Sequence, residues 1–185
     1  MKDRAWSSVL VMAIGAAAFA AAEQFLPPNA RPAATFRIPW LVAATSYWTV
    51  CREAPWGLVA GVWFGAVSDA LSGAPPGVSP ALLAAAARLW DARLRSQFVA
   101  GAATTALYGG AVSFVCATVC YVSRRLCCAL PPVPPVALAA GLFGTLPAGA
   151  VAAVAVRAAM GLLDRLSDNV DEDGAERRGH AREDW

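Results

Sequence analysis

Apolar residues run through this chain in long blocks, and the polar residues between them come in short groups. Six stretches stand out, at 6–25, 38–51, 56–71, 78–95, 98–122 and 135–163. A helix that crosses a bilayer takes about 20 predominantly apolar residues. The pattern therefore predicts an all-α protein, a polytopic bundle of about six transmembrane helices. Pro27-Pro28 close the first stretch, Arg52-Glu53 divide the second from the third, and a Gly- and Pro-rich turn at 73–80 follows. The fourth stretch carries Arg88 and Asp91. If it only dips into the membrane, the count falls to five. The sixth is expected to break at Gly144 and Pro147, because proline removes a helix donor. Residues 164–185 read as a polar, disordered tail behind a transmembrane domain at 1–163.

Composition narrows the class. Of 185 residues, 58% are apolar and 15% charged, against about 25% charged in an ordinary soluble domain. Residues 164–185 hold 8 acids and 4 bases, which leaves 5 acids and 11 bases in the preceding 163. So few charges over so many apolar residues exclude a large soluble domain. No basic run is longer than a pair such as Arg124-Arg125, too little for a nucleic-acid surface. The single histidine, His180, sits in the tail, and Cys116, Cys120, Cys127 and Cys128 match no common metal spacing. No metal or cofactor is expected.

Trp6, Trp40, Trp56 and Trp90 each fall at the end of a stretch, where amphipathic indoles anchor in the headgroup layer. Basic residues then orient the chain. With six spans and a cytoplasmic N-terminus, 11 fall inside and 4 outside. Five spans give a similar bias, and both arrangements put the C-terminal tail in the cytoplasm. Lys2 and Arg4 before an apolar run, with Ala20-Ala21-Ala22 behind it, imitate a signal peptide. In so alanine-rich a sequence a retained first helix is the expectation.

Small residues recur every fourth position at Gly57, Gly61 and Gly65, then Asp69, then Gly73 and Gly77. On a helix this spacing traces one slowly winding stripe. Glycine allows backbones to approach closely where lipid supplies little hydrophobic drive. The stripe reads either as packing inside the bundle, the favoured alternative, or as a partner face. Asp69, an acid inside a strong span, either caps the following turn or meets a partner.

These residues carry a resemblance. Arg37-Ile38-Pro39-Trp40-Leu41 opens a Trp/Tyr-bearing span, followed by Gly61-x3-Gly65-x3-Asp69 and then Gly73 and Gly77. The arrangement resembles the MreD family of bacterial cell-shape proteins, with a proline early in one span, a G-x3-G-x3-D turn and a spaced glycine pair. The likeness covers roughly residues 37 to 90, about 30% of the chain. Pro76 departs from the aliphatic residue common there, and the segment at 124–128 and the acidic tail have no counterpart. The resemblance implies a non-catalytic scaffold of lateral wall elongation in the inner membrane. It would be associated with MreC, cytoskeletal MreB, RodA and a class B penicillin-binding protein. It also implies a fold like the substrate-binding subunits of energy-coupling-factor transporters. The alternative function is therefore a vitamin-type binding subunit, with Thr45, Tyr47, Trp48 and Asp69 as candidate pocket residues.

An enzyme is not expected. No Ser/His/Asp set, paired intramembrane carboxylates or H-E-x-x-H motif is present. Arg88, Asp91 and Arg95 fall at helical neighbour spacing and read as an ion-pair cluster at the membrane edge.

Overall fold

The computed structural model describes residues 2–25, 39–72, 75–128 and 134–166, and all regular structure among them is helical. The helices fall on the apolar stretches: α1 (Lys2–Phe25), α2 (Trp40–Cys51), α3 (Trp56–Ser72), α4 (Val78–Leu89), α5 (Ala102–Cys128) and α6 (Pro135–Leu166). A π turn, Trp90–Leu94, prolongs α4.

Several boundaries differ from expectation. α5 starts at Ala102 rather than at 98, with Thr104 Oγ1 donating to Val99 O at 2.8 Å and Thr105 Oγ1 to Gly101 O at 2.9 Å across its entry. It also runs on through Arg124-Arg125, since charge alone does not end a helix. α6 does not break at Gly144 and Pro147. α5 lies against that turn so closely that a Cβ on Gly110 would stand 2.8 Å from Leu146 O, and packing holds the helix through the missing donor. Finally, α6 extends past 163. Asp164 is helical and fully buried, so it belongs to the bundle and not to a tail. The remainder of that tail, 167–185, lies outside the described residues, as do Pro27, Pro28 and Arg37.

α2 is the centre of the molecule. Every residue from Leu41 to Val50 is buried, as in a helix that is enclosed on all sides. One face, with Leu41, Ala44 and Trp48, joins a core with α1, α3 and α6; the other, with Val42 and Val50, joins a second core with Leu83, Trp90, Tyr108 and Val112. At about 1.5 Å per residue, α2 and α4 are each roughly 18 Å long, well under a hydrocarbon layer of roughly 30 Å. Two helical segments, Ala102–Cys127 and Pro135–Arg165, are long and apolar enough to cross a membrane, and α1 carries a shorter apolar segment, Ser8–Ala22.

The bundle is apolar outside. Trp6 and Leu10 on α1, Val62 and Trp63 on α3, Leu107 on α5, and Phe143 and Val151 on α6 all project outward. Thr45, Ser46, Thr49, Asp69, Thr105, Ser113 and Asp164 are buried.

Candidate functional site

The glycine stripe on α3 is occupied from within the chain. A Cβ on Gly57 would stand 2.9 Å from Thr49 Cα of α2. On Gly61 it would stand 2.9 Å from the carbonyl carbon of Leu83, and on Gly65 2.5 Å from the nitrogen of Pro80, both on α4. These neighbours are backbone atoms and cannot turn aside. Of the two readings of the stripe, the geometry is that of packing inside the bundle. Gly77 has a different reason to be glycine: its φ of 96° lies in the left-handed region, with open space around it. Gly73 lies outside the described residues.

Asp69 ends the stripe and is buried. Its Oδ2 accepts the Gly77 N–H at 2.8 Å, and the Ser79 N–H lies 3.2 Å from Oδ1 and 3.3 Å from Oδ2. Gly77 is the N-cap of α4 and has no side chain to cap it. Pro80, in the first turn, has no N–H to satisfy. A carboxylate from the preceding helix thus meets the donors that remain, and its charge suits a helix N-terminus.

A second polar cluster, which the sequence did not bring together, closes the opposite end of the bundle. There the last turn of α2 meets the end of α6, the π turn and the start of α5. Arg52 Nη2 lies 2.5 Å from Asp164 Oδ1, while the Tyr47 hydroxyl donates to Asp164 Oδ2. The Arg52 guanidinium also lies over the Trp48 ring, 5.3 Å from its centre. Arg95 Nη2 donates to the carbonyls of Thr49 at 3.0 Å and Arg52 at 2.7 Å, which caps the C-terminus of α2. Arg157 Nη1 donates to Cys51 Sγ at 2.8 Å and Thr105 Oγ1 at 3.0 Å. Of the expected Arg88, Asp91 and Arg95 cluster, Asp91 and Arg95 are paired at 2.7 Å and Arg88 stands apart.

A signal for Asp164 does exist in the sequence. Ala153, Val156, Met160 and Asp164 are all fully buried and follow one another at helical spacing. Extending the apolar period of α6 by one step reaches the carboxylate.

Trp6 is 73% exposed, as an anchor would be, whereas Trp90 is only 3% exposed. Trp90 packs edge-on to Tyr108 with ring centres 5.1 Å apart, so it is a core residue and not an interface anchor. Its burial continues the face of α4 that carries Leu83 and Ala87, which Trp90 follows at helical spacing. Trp40 stacks on Phe19 at 6.3 Å and Trp56 tilts against Trp48 at 6.1 Å, both partly buried.

No known protein family, curated protein or solved structure matches the chain. The function must be read from the geometry and from the local resemblance. Each candidate pocket residue has an internal place. Thr45 Oγ1 donates to Leu41 O at 3.1 Å, Tyr47 reaches Asp164, Trp48 is fully buried between Tyr47 and Trp56, and Asp69 caps α4. Among the described residues no three His, Cys, Asp or Glu side chains are placed to hold a metal ion. The cluster around Asp164 is a clasp of ion pair and caps, suited to fixing helix ends.

Proposed function

We propose that the chain is a multi-span inner-membrane protein that acts as a non-catalytic scaffold in bacterial cell shape and lateral wall elongation. The observation that carries the membrane reading is the reversal of the usual arrangement. Large apolar side chains face outward on α1, α3, α5 and α6, while hydroxyls, carboxylates and guanidinium contacts lie within. Lipid rewards this distribution, because polar groups there must be satisfied internally. α5 and α6 cross it; the short α2 and α4 complete the bundle behind them.

The scaffold role rests on the MreD-like stretch and on how its residues are used. Gly61, Gly65 and Asp69 join α3 to α4 into one rigid pair, which suits a protein that holds partners in place. The partners in this reading are an MreC-like protein and, through it, MreB, RodA and a class B penicillin-binding protein. Because the stripe is covered, they would dock on the outward faces and not on the glycines. The C-terminus lies in the cytoplasm.

The test is affinity purification of the tagged protein from native membranes, with identification of what accompanies it. Recovery of wall-synthesis proteins is the expected result. Recovery of an ATPase with a paired membrane subunit, and no wall-synthesis protein, would replace the scaffold with a transporter subunit.

A further inference from the structure

The outer face of α4 and its π turn holds a shallow depression of about 570 Å³, lined by Ala85, Arg88, Leu89, Asp91, Ala92 and Arg93. Its charges are unequal in standing. Asp91 is neutralised by Arg95, whose guanidinium turns inward to the end of α2. Arg88 and Arg93 are exposed and have neither an ion pair nor a hydrogen bond among the described residues. The π turn creates this division. Its i to i+5 bond, from the Arg95 N–H to Trp90 O at 2.9 Å, widens the last turn. Residues five apart are thereby brought toward one face, and Arg88 and Arg93 line the same depression while Trp90 and Arg95 point in.

Beside the two arginines the surface is apolar. Leu89 is 58% exposed, with Ala85 one turn earlier and Ala92 next to Arg93. Two uncompensated guanidinium groups above an apolar strip match a ligand that is anionic at one end and hydrocarbon at the other. The position agrees. Through Arg95 and Arg52 this end of α4 joins the end of α6, which the basic residues assign to the cytoplasmic side.

We propose that this face binds an anionic phospholipid of the inner leaflet, its phosphate held by Arg88 and Arg93 and an acyl chain lying along Leu89 and Ala85. The proposal rests on the membrane reading above. A guanidinium suits phosphate through its fork of donors, and juxtamembrane arginines gain affinity from anionic lipid additively.

The experiment reconstitutes the protein in phosphatidylcholine vesicles that contain phosphatidylglycerol, washes them with alkaline carbonate, and extracts into mild detergent for native mass spectrometry. The wild type is expected to keep phosphatidylglycerol in excess of its share. R88Q/R93Q is expected to lower that enrichment roughly thirtyfold, while R88K/R93K keeps most of it and R125Q, at the other end of the bundle, leaves it unchanged. Both target residues are exposed, so folding is not at stake. Wild type without enrichment, or R88Q/R93Q with full enrichment, overturns the site alone. Release of the wild type by carbonate overturns the membrane reading and the site with it. If inorganic phosphate strips the lipid as well as excess phosphatidylglycerol does, a free-anion site replaces the one proposed.

Discussion

Two carboxylates decide how this molecule is held together, and they act at opposite ends. Asp69 receives backbone N–H groups at the start of α4, so its shape matters more than its charge. Asn in its place keeps an oxygen for the 2.8 Å bond from Gly77. Asp69→Ala is expected to cost about 1 kcal/mol, as a lost cap does, and Asp69→Asn distinctly less. Thermal unfolding of both variants in detergent checks the order, and equal loss would mean that the charge meets a cation elsewhere. Asp164 behaves otherwise, since it accepts from Tyr47 and pairs with Arg52. Asp164→Leu alone is expected to cost about 3 kcal/mol, in line with loss of one partner of a buried pair, and Arg52→Met added to it should return a large share. The same unfolding assay reads this, and a double variant as weak as the single one would place the role of Asp164 in another contact. Only the first carboxylate was prominent in the sequence. Asp69 interrupts an apolar stretch, whereas Asp164 opens a run of charges, and only the apolar period of α6 carried one step further sets it apart from the start of a tail.

At the scale of elements, α3 and α4 fit because glycine faces backbone, and α5 and α6 fit for a related reason. A Cβ on Gly109 would stand 2.4 Å from Ala153 Cβ, and one on Gly149 would stand 2.4 Å from Ser113 Oγ. These contacts rank the substitutions. Gly65→Ala, which meets the Pro80 backbone, should be the most damaging, with a loss of about 1–3 kcal/mol. Gly149→Ala should also be damaging, because rotating the Ser113 hydroxyl leaves Ser113 Cβ at 2.5 Å and Gly109 O at 3.0 Å. Gly109→Ala should be partly rescued by Ala153→Gly, which removes the opposing carbon. Accumulation in the membrane and unfolding temperature give the ranking, and a harmless Gly65→Ala would contradict the α3–α4 contact. The positions of the helices were legible, since each coincides with an apolar block. The continuity of α6 was not. Proline reads as a break in isolation, and only the close approach of α5 shows why the helix continues. Nor was the π turn legible. A single added residue leaves no mark in composition, yet beyond it Arg95 turns in to the carbonyls at the end of α2.

For the whole molecule, the membrane reading proposed above takes its orientation from basic residues gathered at the end where α2 and α6 finish. A reporter active only in the periplasm, fused after Trp185, is expected to be silent, and strong activity there would overturn the assignment. The centre of the bundle adds a constraint in time. α2 is enclosed on every side, yet the carboxylate that receives both Tyr47 and Arg52 follows them by 117 and 112 residues. A chain released by the ribosome between Cys51 and Asp164 has every residue of its central helix and lacks that acceptor. Synthesis as far as α6 is therefore written into the interior, and a copy that stops short of Asp164 carries in α2 the sign that it is unfinished.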